Sequence, residues 1–290
     1  VQATPLTPDA EPRRAPIAHA LGAMRAIVGR ELAKFARQYG RLVSALVRPL
    51  LWLAVFAAGF RNVFGVAIVE PYDTYIPYDV YIAPGLIGMV LLFNGMQSSL
   101  AMVYDREMGL MRLLLTAPLP RWWILFSKLT ATAVLSLGQA AAFVVVAALL
   151  GTVLPVPGPL LHLAQVTAAV TASALMLGAL GLLLSVYIRQ LENFAGTMNF
   201  VIFPMYFMST ALYPLWKLEE SGAQWVYRVA QVNPFTHAVE WMRFALYDKD
   251  PGASPYVVLG TLAFCFLLAA WGYDPQRGFG ALSKRGGATS

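Results

Sequence analysis

The sequence predicts an all-α membrane protein with six transmembrane helices, and three observations carry the prediction. The first is composition: 58% of the 290 residues are hydrophobic and 12% are charged, against about 25% charged in soluble domains. The second is length. A helix needs about 20 apolar residues to cross a hydrocarbon core roughly 30 Å thick. Five windows reach that length without one Asp, Glu, Lys or Arg: Val80 to Val103, Leu129 to Leu154, Leu163 to Tyr187, Phe194 to Pro214 and Gly252 to Tyr273. Inside lipid each backbone amide must be bonded within its own segment, which requires helices here because the period-2 alternation of a membrane barrel is absent. The third observation is the sidedness of the basic residues, which needs the elements first.

In chain order, residues 1–18 are rich in Pro, Thr and Ala and read as a disordered tail. From 19 to 41, Leu21, Met24, Ile27, Val28, Leu32, Phe35 and Tyr39 recur at helical spacing, and Arg25, Arg30, Lys34, Arg37 and Arg41 occupy the remaining face. That pattern fits an amphipathic helix in the membrane interface, with its cations at anionic headgroups. The first span lies within Leu42 to Phe60 or, starting at Pro49, runs towards Val69. Either way Arg48 falls near one end. It reads as an anchor whose stem snorkels to the headgroups, with a substrate-contacting or gating role as the alternative.

After the second span comes the one substantial polar interruption between long apolar runs, Tyr104-Asp105-Arg106-Glu107-Met108-Gly109 and onward to Lys128. A helix at about 104–117, ended by Pro118 and Pro120, is expected on the cytoplasmic side. Arg121, Trp122, Trp123 and Lys128 read as an interface belt. Within the fourth span, Gly178 and Gly181 read as small residues that let helices approach. The segment from Pro214 to Pro251 is too polar for a span and too apolar for an open loop. It is read as two short helices, 219–231 and 234–246, broken at Asn233-Pro234 and dipping back into the outer leaflet, with Glu240 and Arg243 three apart on one face as an ion pair. The sixth span follows, then a tail at 274–290.

Six spans place sixteen of the 21 Lys and Arg residues on the side of both termini; the other side keeps Arg61, Lys217, Arg228, Arg243 and Lys249. By the positive-inside rule both termini are cytoplasmic. The net charge of +6 is then a topology signal, and no nucleic-acid partner is implied.

Catalytic chemistry has little to stand on. His19, His162 and His237 are far apart, Cys265 is the lone cysteine and lies inside an apolar run, and the dipeptide Gly-Lys of a phosphate-cradling loop does not occur. The five clean windows hold no ionisable residue for a proton or ion relay. The chain thus reads as no enzyme, with no metal or cofactor of its own. Energy for any active transport would come from another subunit.

Several segments in order resemble the permease subunits of type-2 ABC exporters, the polysaccharide, lipo-oligosaccharide and drug export type. These are Tyr81-Ile82-Ala83-Pro84-Gly85-Leu86, Arg106-Glu107-Met108-Gly109, Leu113 through Arg121 with Lys128, Phe203-Pro204 through Ser209, Tyr213-Pro214-Leu215, and Asn233-Pro234-Phe235 with Glu240 and Arg243. The resemblance covers about 20–273; Arg112 departs from it, since many members carry Glu there. It implies a dimer of permeases, a second copy or a related chain, in membrane lipid of a bacterial cytoplasmic membrane. Two cytoplasmic ATPase subunits would bind ATP and Mg²⁺, coupled through Arg106, Glu107, Gly109 and Arg112. It also implies a route between the permeases, with Phe93, Asn94, Gln97, Asn199, Phe203, Tyr206 and Phe207 as candidate walls, carrying a hydrophobic or amphipathic cargo such as a lipid, glycolipid, lipid-linked glycan or drug. Glu107 is expected either to cap its own helix start or to meet the ATPase. A membrane scaffold for an enzyme complex, with no route, is the alternative.

Overall fold

A computed structural model describes residues 17–37, 39–60, 76–109, 120–152, 160–188 and 190–273. The expected C-terminal tail, Arg112, the 110–117 part of the polar helix and any extension of the first span past Phe60 lie outside the described residues. So does the N-terminal tail, apart from Ile17 and Ala18, which begin the first helix.

The described chain is built of helices: α1 Ile17–Ala36, α2 Tyr39–Phe60, α3 Tyr78–Glu107, α4 Arg121–Leu149, α5 Leu160–Tyr187, α6 Leu191–Phe207, α7 Leu215–Glu220, α8 Gln224–Val232, α9 Pro234–Leu246 and α10 Ser254–Gly272. Four of them, α3, α4, α5 and α10, are long and apolar enough to cross a membrane. Each contains nearly all of one charge-free window, because an uninterrupted apolar run gives the backbone no reason to leave its own hydrogen bonds in lipid.

The Phe194 to Pro214 window behaves differently. Its helix stops at Phe207 after 17 residues. Pro204 lies in its last turn, Ser209 Oγ donates to Tyr206 O at 2.6 Å, and Ala211 N donates to Ser209 Oγ at 3.2 Å. The hydroxyl thus offers the backbone a turn in place of another helical step, and residues 208–213 fold back as a turn. The 219–231 helix is also resolved differently, as α7 and α8 separated by a turn at 221–222, whereas α9 spans 234–246. At the other end, α1 and α2 are separate helices, with Arg37 in a turn between them.

Helix α3 is the hub: it packs against α2, α4, α5, α6 and α9, and most of its length is buried. Lipid tails are as apolar as Leu, so close van der Waals packing at small residues holds such helices together. A Cβ on Gly181 of α5 would lie 2.9 Å from the Gly95 carbonyl of α3 and 2.6 Å from Ser99 Oγ. No larger residue fits that crossing without separating the two helices. Amphipathic α1 lies against α4, with Ile27 and Phe35 buried and Trp123 Nε1 donating to Ala20 O at 2.9 Å.

Candidate functional site: an open face and its two ends

One end of the bundle is organised by three consecutive residues at the close of α3. Asp105 is buried between cations of two other helices, with Lys128 Nζ of α4 at 3.3 Å and Lys34 Nζ of α1 at 3.5 Å. Arg106 Nη1 donates to Ser185 O at 3.0 Å; Ser185 lies in the last turn of α5, where the helix dipole favours a cation. Glu107 Oε1 accepts from Leu191 N at 2.8 Å. Glu107 therefore caps the start of α6, a helix other than its own, because it lies at the end of α3, where no N–H groups are left unpaired. Gly109 then leaves the helix at φ +71°, a left-handed conformation that L side chains rarely adopt. Alternating charge at 105–107 thus ties α3 to α1, α4, α5 and α6.

At mid-length, the side chains of α3 part company. Asn94 Nδ2 donates to Ser136 Oγ at 2.6 Å and to Thr132 O at 3.3 Å, both on α4. Phe93 and Gln97 instead border a narrow cleft against α2, shared with Arg48, Pro49, Met89 and Val90. The guanidinium carbon of Arg48 sits 4.0 Å from the Phe93 ring centroid. Arg48 is therefore not at a helix end: it is nine residues into α2 and beside the middle of α3.

The aromatic surface continues onto α6. Trp52, one turn on from Arg48, meets Phe207 edge-on at 5.9 Å, and Phe207 stacks on Phe203 at 6.2 Å. Asn199, Phe203 and Phe207 are exposed, whereas Tyr206 turns inward against Phe235, with centroids 5.9 Å apart. The structure therefore gathers Phe93, Gln97, Asn199, Phe203 and Phe207 on or beside one open face of α2, α3 and α6, and directs the Asn94 amide and Tyr206 into the bundle.

At the opposite end of the bundle, α6 is followed by the 208–213 turn. A chain that leaves a helix in an apolar setting strands its carbonyls, and here four of them find side-chain donors. Asn233 Nδ2 donates to Met205 O and Met208 O, each at 2.8 Å. Arg243 Nη2 donates to Thr210 O at 2.8 Å and Tyr78 Oη to Leu212 O at 2.8 Å, while Tyr81 Oη reaches Thr210 O at 3.3 Å. Arg243, only 2% exposed, also pairs with Glu240 and lies over the Tyr81 ring. Gly85 of α3 makes room, because a Cβ there would lie 2.5 Å from the Ala211 carbonyl oxygen.

Trp52 and Tyr78 escape a sequence reading, as do the ion pairs of Asp105 and the donor roles of Tyr81 and Asn233. The stranded carbonyls after Phe207 are the signal that calls for such donors. Among the described residues no group of His, Cys, Asp and Glu is placed to hold a metal.

An all-helical bundle with four helices long and apolar enough to cross a membrane, and with a polar and aromatic open face among the described residues, has the architecture of a multi-pass membrane protein. Comparison with known proteins makes this specific: the ABC-2 type transporter family matches residues 22–247, and the chain belongs to that family. It is 30% identical over 229 residues to a Porphyra purpurea protein described as a transport permease, ycf38, covering 78% of this chain and 75% of that one. The Cyanophora paradoxa protein of the same description is 30% identical over 231 residues, covering 77% of this chain and 73% of its own. The Pyropia yezoensis one is 29% identical over 255 residues, 86% and 79%. Members of this family supply the membrane half of a transporter and leave ATP hydrolysis to an ABC ATPase.

Proposed function

We propose that the chain is the permease subunit of an ATP-driven exporter that moves a hydrophobic or amphipathic cargo out of the cytoplasm or the inner leaflet by alternating access. The observation that carries this reading is the open α2–α3–α6 face. Exposed Asn199, Phe203 and Phe207 continue the aromatic surface of Trp52 and Phe93, a combination suited to a surface that cargo crosses rather than to lipid alone.

In this reading α2, α3, α4, α5, α6 and α10 are the six spans of a protein in a bacterial cytoplasmic membrane, with both termini cytoplasmic. Two permease copies face each other across the route. Helices α7 to α9 form the re-entrant outer closure, held by Arg243 and Glu240. Two ATPase subunits bind ATP and Mg²⁺ and push on α1 and on the segment carrying Arg106, Glu107, Gly109 and Arg112. The 105–107 cluster gives that push a route into four helices at once. The test is ATP turnover of the chain reconstituted in membranes with a candidate ABC ATPase subunit. Turnover stimulated by candidate cargo, and uncoupled by Glu107→Ala in an assembled complex, is the expected result. Failure to form a complex with any such ATPase overturns the proposal and favours a scaffold.

A further inference from the structure

We infer that Arg48 is the recognition point for an anionic group, a phosphate or carboxylate, so that the cargo of this route is an anionic amphiphile. The inference rests on the exporter reading above and narrows its cargo.

Depth is the first argument. Phe93, against which the guanidinium lies, is 12 residues from Asp105 along α3, or about 18 Å at helical rise. Asp105 marks the level of the cytoplasmic cations Lys34 and Lys128. A hydrocarbon core is roughly 30 Å thick, so Arg48 stands near its middle. Its stem cannot return the charge to the headgroups from there, and a cation at that depth must meet protein, water or a counter-ion.

The second argument is that the described residues supply no counter-ion to Arg48. Among the described residues Arg48 forms no ion pair. The Phe93 ring engages one face of the guanidinium by its quadrupole and accepts none of its five N–H bonds in the guanidinium plane. Among the described residues of α2, α3 and α6 that a facing second copy would present, no carboxylate lies at this depth either, since Glu192 is in the first turn of α6. Helix α2 contains no Asp or Glu, and those of α3 are at its two ends, Asp79 outside and Asp105 and Glu107 inside. Asp79 is buried beside Thr152 and Asp105 is held by its lysines.

The third argument is the shape of the surroundings. Arg48 and Gln97 border a narrow cleft with Asn94, Pro49, Met89, Val90 and Phe93, the Asn94 amide being engaged by α4, and Arg48 is exposed at its edge on the open face. The apolar surface of Trp52, Phe207 and Phe203 leads away from it. The arrangement presents exposed Arg48 to an anionic head on the open face and lays an apolar body along the aromatics; a cationic amphiphile would meet like charge there.

The experiment uses the full chain with its ATPase in proteoliposomes of zwitterionic lipid, and follows ATP-driven movement of fluorescent probes between leaflets. One pair is phosphatidic acid against phosphatidylcholine with the same tails; the other is a fatty acid against its methyl ester. Wild type is expected to move the anionic member at least about tenfold faster, the discrimination typical of one charge-assisted contact. Arg48→Gln is expected to abolish the preference, bringing the anionic member's rate down to that of the neutral member in the same variant, and Arg48→Lys to keep part of it. Preference in the phospholipid pair alone assigns a phosphate headgroup, and preference in both pairs assigns any monoanion; each supports the inference. Equal rates for both members in wild type, which needs no variant to fold, or a preference that survives Arg48→Gln, overturn it and leave the exporter reading standing. If no probe moves although the complex is assembled, the exporter reading fails with it.

Discussion

Asn233 offers the sharpest test of how the chain turns after α6. Its side chain works in two directions: Oδ1 accepts from Phe235 N at 3.0 Å and caps α9, while Nδ2 donates to the Met205 and Met208 carbonyls at the end of α6. Replacing a capping Asn by Ala costs about 1 kcal/mol, and each lost bond to a carbonyl adds about 1 kcal/mol. Asn233→Ala is therefore expected to destabilise by about 3 kcal/mol, read by equilibrium unfolding in mixed micelles with tryptophan fluorescence. Asn233→Asp separates the two roles. The carboxylate keeps the cap, and at a helix N-terminus it gains about 0.3–1 kcal/mol from the dipole. It also sets an acceptor where a donor stood, against two carbonyl oxygens. If the double bond to α6 matters, Asp is as damaging as Ala or worse. An Asp variant as stable as wild type would refute the reasoning and reduce Asn233 to a helix cap.

Two further perturbations probe the inner end and the α3–turn contact. Asp105→Asn leaves Lys128, whose side chain is 7% exposed, without its carboxylate; a loss of about 3–5 kcal/mol is expected, largely recovered in Asp105→Asn/Lys128→Met, and both are read from the same unfolding curves. Gly85→Val drives a side chain into the Ala211 backbone; overpacking of about 1–3 kcal/mol is expected, together with faster proteolysis within 208–213.

Much of this architecture is legible in the sequence because length and the absence of charge leave an apolar run few alternatives. Helices α3, α4, α5 and α10 follow from that alone, and α9 follows from Asn233-Pro234, a cap residue ahead of a first-turn proline. The end of α6 is not legible in the same way. Residues 208–213 are apolar enough to extend a span, and only the surrounding donors Asn233, Arg243, Tyr78 and Tyr81, from distant parts of the chain, make a fold-back affordable. Similarly, Arg106 and Glu107 are visible as charges beside a span, but their partners Ser185 and Leu191 lie about 80 residues on, and no local pattern connects them. Arg48 is the instructive case. An Arg next to Pro49 suggests a helix boundary, yet α2 starts at Tyr39 and carries the guanidinium beside Phe93, at the middle of α3. Where a helix starts sets the depth of every side chain on it, and the start is the part of a helix that sequence defines least well.

The most direct test of the account is the reactivity of Asn199→Cys towards a membrane-impermeant thiol reagent, in a Cys265→Ala background, in membranes containing the chain and its ATPase. Phe264→Cys on α10, exposed on the opposite kind of surface, serves as the lipid-facing control. The account predicts that Asn199→Cys is labelled and that its labelling rate changes when the ATPase is trapped with a non-hydrolysable ATP analogue, while Phe264→Cys stays unreactive throughout. Asn199→Cys as unreactive as the control in every nucleotide state would mean that the α6 face looks into lipid, contradicting a route along α2, α3 and α6.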